Sequence, residues 1–244
     1  MKTNPLAIDE ETMRSCTRQV YGHEMWIQDI RCEDGEFTAH GLYGHKMLPD
    51  KPMPTDYANV VLYDDDGRVA DPEREIVNRP RGWRFIFPDE GADVYTLYID
   101  SNSVWVTNDE GWHRGGKRDY SGVTHSEAFN MAAKRLISRD GVSVGNVMHL
   151  ELEIVPEKAT LKVGEKANFT VFYEGVPIKG VKIIAYHPAW QDLMFLKTDA
   201  EGKVSFDVKD VGTYAVIAKY TDEEKCSEDF DETGFSTTLT IDAE

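Results

Sequence analysis

The stretch KANFTVFYEGVPIKGVKIIAYH (166–187) holds two runs rich in β-branched and aromatic residues, parted by Glu174-Gly175. Runs of this length with alternating character and a glycine-bearing break read as β-strands joined by a tight turn. The same grammar extends on both sides. HLELEIV (149–155), KVSFDV (203–208), TYAVIAKY (213–220) and FSTTLTI (235–241) are further short β-rich runs, and DAEG (199–202) and DVG (210–212) supply turns. With ATLKV (159–163) as one more strand, the stretch predicts an immunoglobulin-like two-sheet module over 147–242.

The first half is also β-rich. EMWIQDI (24–30), EFTAHGLY (36–43), YANVVLY (57–63), WRFIF (83–87), VYTLYI (94–99) and SVWVT (103–107) read as strands. HKMLPDKPMPTD (45–56) and RVADPEREIVNRPRG (68–82) read as long loops laid over a sandwich surface. SEAFNMAAKRLIS (126–138) reads as a short helix, with Ser126 as its cap and Phe129, Ala133 and Leu136 or Ile137 on one apolar face. A second amphipathic turn over 9–20 is expected to cover a sheet edge. The polar RDGVSVGN (139–146) reads as a linker. The fold class is therefore mainly β: two tandem β-sandwich domains, the first over 20–140 with long loops and a short helix, the second over 147–242.

Length agrees, since 244 residues suit two domains of about 100–150 residues each. A hydrophobic share of 41% is enough to build cores and excludes a disordered or fibrous chain. The formal charge of −17 repels the phosphate backbone, so nucleic acid is not an expected partner. The same field tolerates a cationic ligand. Cys16, Cys32 and Cys226 are too few and scattered for a disulfide framework or a cysteine metal knuckle, and leave room for one disulfide and a spare thiol. The opening MKTNPLAIDEETMRSC lacks the apolar core of a signal peptide, and no window has the roughly 18 apolar residues of a membrane helix, so direct membrane insertion is not expected.

Catalytic signatures are absent from the sequence. It has no GxSxG, HExxH, phosphate loop or dinucleotide-binding glycine pattern, and both Cys32 and Cys226 sit among acids that disfavour the thiolate. The expectation is a protein that binds and does not catalyse. DDDG (64–67) fails as a calcium loop, because an EF-hand begun at Asp64 would put Val69 where glycine must stand; a β-turn explains it.

The direct handle on function is an echo: YGHEM (21–25) returns as YGHKM (43–47). Imidazole is a common ligand for borderline divalent metals, and residues on different strands can converge on one ion. His23 and His45 are the first candidate ligands, and His113 in GWHRGGK and His125 in VTHSEA are the next. The plainer reading is that each is a satisfied surface or capping histidine. His40, His149 and His187 fall on strands and read as structural.

The run LELEIVPEKATLKVGEKANFTVFYEGVPIKGVKIIAY, followed by TDAEGKVSFDVKDVGTYAVIAKY, resembles the C-terminal module of the DUF4198 family. GHEMWI (22–27), YGHKMLP (43–49) and VYTLYIDSNSVWVTNDEGWHRGGKRDY (94–120) resemble that family's earlier segments. Members of the family include periplasmic NikM-like components of nickel and cobalt uptake. The resemblance implies a nickel- or cobalt-binding accessory of metal uptake, with a membrane transporter complex as partner and a periplasmic or extracellular site of action. The absence of a leader pattern keeps a cytoplasmic location open. A non-catalytic carbohydrate-binding or protein-interaction sandwich is the alternative, because five tryptophans and eleven tyrosines would also serve a stacking platform.

Overall fold

A computed structural model describes residues 23–49, 58–78, 81–146, 148, 150–190 and 192–244. These residues form strands β1 (Glu24–Glu33), β2 (Glu36–His45), β3 (Leu48–Pro49), β4 (Ala58–Asp64), β5 (Gly67–Ala70), β6 (Glu73–Asn78), β7 (Arg81–Pro88), β8 (Val94–Asn108), β9 (Gly111–Arg114) and β10 (His125–Ser138). The second half adds β11 (Leu152–Pro156), β12 (Thr160–Leu161), β13 (Lys166–Tyr173), β14 (Val176–Pro177), β15 (Lys182–Tyr186), β16 (Met194–Lys197), β17 (Lys203–Asp207), β18 (Gly212–Asp222) and β19 (Glu232–Ala243). The fold is mainly β, as the periodicity predicts.

Three sheets stack. The first has the order β1-β2-β7-β6, with β3 on β2. The central sheet runs β16-β15-β18-β19-β10-β8-β4-β5, with β12 on β19 and β9 on β8. The third is β11-β13-β14, with β17 on β13. One core, containing Met25, Ile27, Phe37, Phe85, Leu97, Ile99, Met131 and Ala133, lies between the first sheet and the central one. The other, containing Ile154, Phe169, Val171, Ile183, Val216, Phe235, Leu239 and Ile241, lies between the central sheet and the third.

Register shows that the two cores use opposite faces of the central sheet. Met131 is paired with Ser236, and residues directly paired across strands project to the same side. Met131 enters the first core, so Ser236, Thr238 and Thr240 face that way, whereas Phe235, Leu239 and Ile241 enter the second. Strand β19 is consequently buried on both sides, with Ser236, Thr238 and Thr240 each no more than 2% exposed. The hydroxyl of Thr240 donates to the Ile27 carbonyl of β1.

The helix expected at 126–138 is instead the strand β10. It pairs antiparallel with β8 along its length, from His125 opposite Thr107 to Ser138 opposite Val94, and parallel with β19 on its other edge. Ala, Met, Leu, Lys and Arg favour helix locally, but backbone partners on both edges and packing on both faces outweigh that preference. With both faces covered, apolar residues occur at odd and even positions, and the resulting pattern imitates a helical stripe. Ser126 bonds to Asp231 and caps nothing: its hydroxyl donates to a carboxylate oxygen at 2.7 Å.

The two runs expected at 94–99 and 103–107 are one continuous strand, β8. Strands β3, β5 and β6 occupy parts of the stretches expected as loops. The amphipathic turn expected over 9–20 lies outside the described residues, as do residues 50–57. At 64–67 the chain turns as expected, the Asp64 carboxylate accepting the Asp66 and Gly67 amides at 2.8 Å each. The stretch 139–146 is irregular and is tied by Asp140, whose carboxylate accepts the amides of Val142 and Ser143. The central sheet nevertheless runs on past this seam, because β19, the last strand of the chain, pairs with β10 of the first half.

Crossing the same seam is a buried ion pair. Lys134 of β10 and Glu153 of β11 are 1% and 0% exposed, and the ammonium donates to the carboxylate at 2.5 Å. Glu153 also receives the Met148 amide, and Lys134 reaches the Ile154 carbonyl, so both charges are hydrogen-bonded. Burial holds the Lys134 ammonium below its ordinary pKa, against the pull of Glu153.

Candidate metal centre

The echoed motifs meet because they terminate one hairpin. Strands β1 and β2 turn at Asp34-Gly35, where both residues take positive φ. Their register sets Met25 opposite Tyr43 and Glu24 opposite Gly44. One further step places His23 beside His45. The two rings lie 4.2 Å apart, centroid to centroid, at 47°, and His23 also stacks on Tyr43 at 4.7 Å. Twenty-two residues of sequence thus close into a side-by-side pair of imidazoles at the open end of the hairpin.

Glu24 joins this end from beneath. It is 7% exposed, and its carboxylate accepts the Lys46 amide at 3.1 Å. Burial pushes its pKa up, while Lys219, the Lys46 amide and His45 oppose that shift. Lys219 of β18 is itself 8% exposed, and burial holds its ammonium below the ordinary lysine range, against Glu24 and Glu127. Charges of alternating sign therefore continue from the hairpin end onto the central sheet.

There the sheet carries a second group. The ligand atoms of His125, Glu127 and Glu232 all lie within 4.8 Å of one another, the one such group of three or more among the described residues. His125 and Glu127 are two apart on β10 and project to one face. Glu232 of β19 is the direct partner of Glu127, and its carboxylate is 3.5 Å from His125 Nε2.

His113 is placed elsewhere. It is paired with Val106 of β8, whereas His125 is paired with Thr107, so the two imidazoles project from opposite faces of the central sheet. His113 stacks on Tyr120 at 4.9 Å, and its Nε2 lies 3.0 Å from the Asn108 side-chain oxygen. Of the four candidate histidines, the fold brings His23 and His45 together, gives His125 two carboxylates, and leaves His113 with a local aromatic partner.

Glu127 and Glu232 are the residues the sequence reading missed. Glu127 fell in a stretch read as helix, where it would not share a face with His125. Read as strand, His125-Ser126-Glu127 would have placed both donors on one side. Nothing in sequence pairs Glu232 with them, because a parallel contact across more than a hundred residues has no local signal.

The other cysteine and histidine expectations are resolved in part. Cys32 and Cys226 are exposed free thiols, and Cys16 lies outside the described residues. His40 of β2 stands 3.3 Å from the carboxylate of Asp29 on β1. His187 is 5% exposed, packed on Tyr214 and Trp190, and His149 lies outside the described residues. Trp26 and Trp83 are buried, while Trp112 is 64% exposed.

Among solved structures, one similar chain is native alpha-2-macroglobulin from Escherichia coli spanning domains MG0-NIE-MG1, at 9% identity, covering 93% of this chain and 99% of that one, with a TM-score of 0.24. No curated protein matches the chain. Residues 20–222 match the family described as a domain of unknown function, DUF4198, which takes in the first core, most of the second except the residues of β19, and the hairpin end that carries His23 and His45, and the chain belongs to that family.

Proposed function

We propose that the protein binds a divalent transition metal ion, nickel or cobalt by family resemblance, with His23 and His45 as its ligands. The observation that carries this reading is the 4.2 Å approach of the two rings, built by the register of one hairpin. Neutral imidazole suits nickel, cobalt, copper and zinc, and an acidic protein surface raises the local concentration of such ions. The role would be capture and hand-over to an uptake system, with no bond broken, a membrane transporter complex as receiver, and the periplasm or cell exterior as the place of action.

Calorimetric titration of Ni²⁺ and Co²⁺ at pH 7.5 tests the reading. The native chain should bind about one equivalent at the pair, and the His23→Ala/His45→Ala variant should lose at least about tenfold in affinity, since it removes both imidazole donors of the site. Equal binding by both proteins would reject these ligands.

A second reading has one observation in its favour. Trp112 is 64% exposed and its ring lies 6.5 Å from that of Trp105, which gives a small aromatic surface of the kind that stacks on sugars. Binding on a glycan array that is lost in Trp112→Ala and indifferent to metal would favour this reading over the first.

A further inference from the structure

We infer that His125, Glu127 and Glu232 form a second divalent-cation site, separate from the His23 and His45 pair, that clamps the last strand of the chain to the first half. Three observations carry it. The donor set is mixed, one imidazole nitrogen and two carboxylates, and its atoms lie within 4.8 Å of one another. Ligands around one ion at about 2.1 Å stand roughly 3–4 Å apart, so side-chain rotation suffices and no backbone need move.

The second observation is a pair of like charges. Glu127 and Glu232 are direct cross-strand partners, and like charges so placed destabilise a sheet. His125 stands beside Glu232, and the buried Lys219 acts on Glu127. A dication between the carboxylates removes the repulsion.

The third is a cradle. A Cβ built on Gly234 would stand 1.9 Å from Glu127 Oε1 and 3.1 Å from Phe129. The carboxylate of Glu127 thus lies in the space a side chain at 234 would fill, and glycine there holds it beside β19. On the other edge of β10, Trp105 is the direct partner of Glu127 and packs towards Trp112, which walls that side with indole. One imidazole with two carboxylates and open positions for water suits Mn²⁺, Co²⁺ or Zn²⁺, a harder preference than that of an imidazole pair.

The site does not depend on the reading given to His23 and His45, and the experiment separates the two. Mn²⁺ is titrated into the full chain in 0.15 M NaCl, with free ion read by electron paramagnetic resonance. The native protein and His23→Ala/His45→Ala should both take up about one equivalent, whereas Glu127→Gln/Glu232→Gln should weaken uptake at least about tenfold. Mn²⁺ at a hundredfold excess over Kd should also raise Tm by about 5 °C or more in the native chain and leave the Gln variant unmoved. In chelator the Gln variant should melt no lower than the native chain, since a charge repulsion has been removed.

Gly234→Ala keeps every ligand and displaces the Glu127 carboxylate, so it should weaken uptake as well. If the double Gln variant fails to fold, His125→Ala, at the partly exposed start of β10, serves in its place. Undiminished uptake by the variants means diffuse attraction of cations to an acidic protein and overturns the proposal, as does a native chain that takes up no Mn²⁺.

Discussion

The outer strands of the C-terminal sandwich and the two strands at the seam obey different rules. β13 reads KANFTVFY, and its buried residues Ala167, Phe169 and Val171 alternate with more exposed ones, because one face meets a core and the other meets water. β10 and β19 are buried on both faces, so their sequences need not alternate in that way. β19 keeps apolar residues on the face towards the second core and uses Ser236, Thr238 and Thr240 on the face towards β1. A run of small hydroxyl residues looks solvent-facing, yet here it is closed by another sheet. The difference teaches that alternation reports how many faces a strand must satisfy, and that a two-faced strand hides among helix formers and polar runs.

Perturbing each side of this contrast should give effects of different size. The largest is expected at the seam. Lys134→Met leaves Glu153 buried without its cation, which should cost about 3–5 kcal/mol in urea unfolding. Adding Glu153→Leu to Lys134→Met should recover most of that loss, because an apolar pair of similar volume needs no charge partner. A double variant no better than the single one would mean that the pair fixes the seam by geometry as well as charge.

Next come the two faces of β19. Leu239→Ala on the core face should cost about 2–5 kcal/mol, the transfer of a fully buried side chain plus the cavity it leaves. Thr240→Val on the other face keeps the volume and loses the bond to the Ile27 carbonyl, for about 1 kcal/mol. Comparable losses at both positions would show that the hydroxyl face carries as much of the stability as the apolar one.

The smallest effect concerns pH. Asp89 is held below the usual carboxylate range by the Gly91 amide, with Arg139 and the Tyr95 hydroxyl adding to it. In Asp242, Arg135 and the Thr213 hydroxyl outweigh a burial effect of opposite sign. A carboxyl whose folded pKa is depressed favours the folded state above its unfolded pKa of about 3.9, and that contribution fades as pH falls towards the folded value. Stability should therefore decline below about pH 4.5, and Asp89→Asn should make the decline shallower by under about 1 kcal/mol, since the carboxylate is near solvent. Urea midpoints between pH 6 and pH 3 measure both.

Part of the hairpin end could be anticipated from the sequence. The echo of Gly22-His23 in Gly44-His45 lies on two strands around Asp34-Gly35, a turn dipeptide, but regular pairing about that turn would set His23 opposite Lys46; the register shift in β1 between Gln28 and Arg31 is what brings His23 to His45. The carboxylate group on the central sheet could not be found in the same way. Its donors depend on reading 126–138 as strand, and local propensity there points to helix.

By itself the sequence determined that the chain is mainly β, that its second half alternates as a sandwich does, and that two Gly-His motifs echo each other twenty-two residues apart. These are short-range properties, set by side-chain period and turn chemistry within a few residues of chain. Only the tertiary structure decided that β10 is a strand, that β19 leaves its own half to pair with it, and that Glu232 reaches His125 and Glu127. Those outcomes rest on backbone hydrogen bonds and burial between residues about a hundred positions apart, whose free energy exceeds the local preference of either segment.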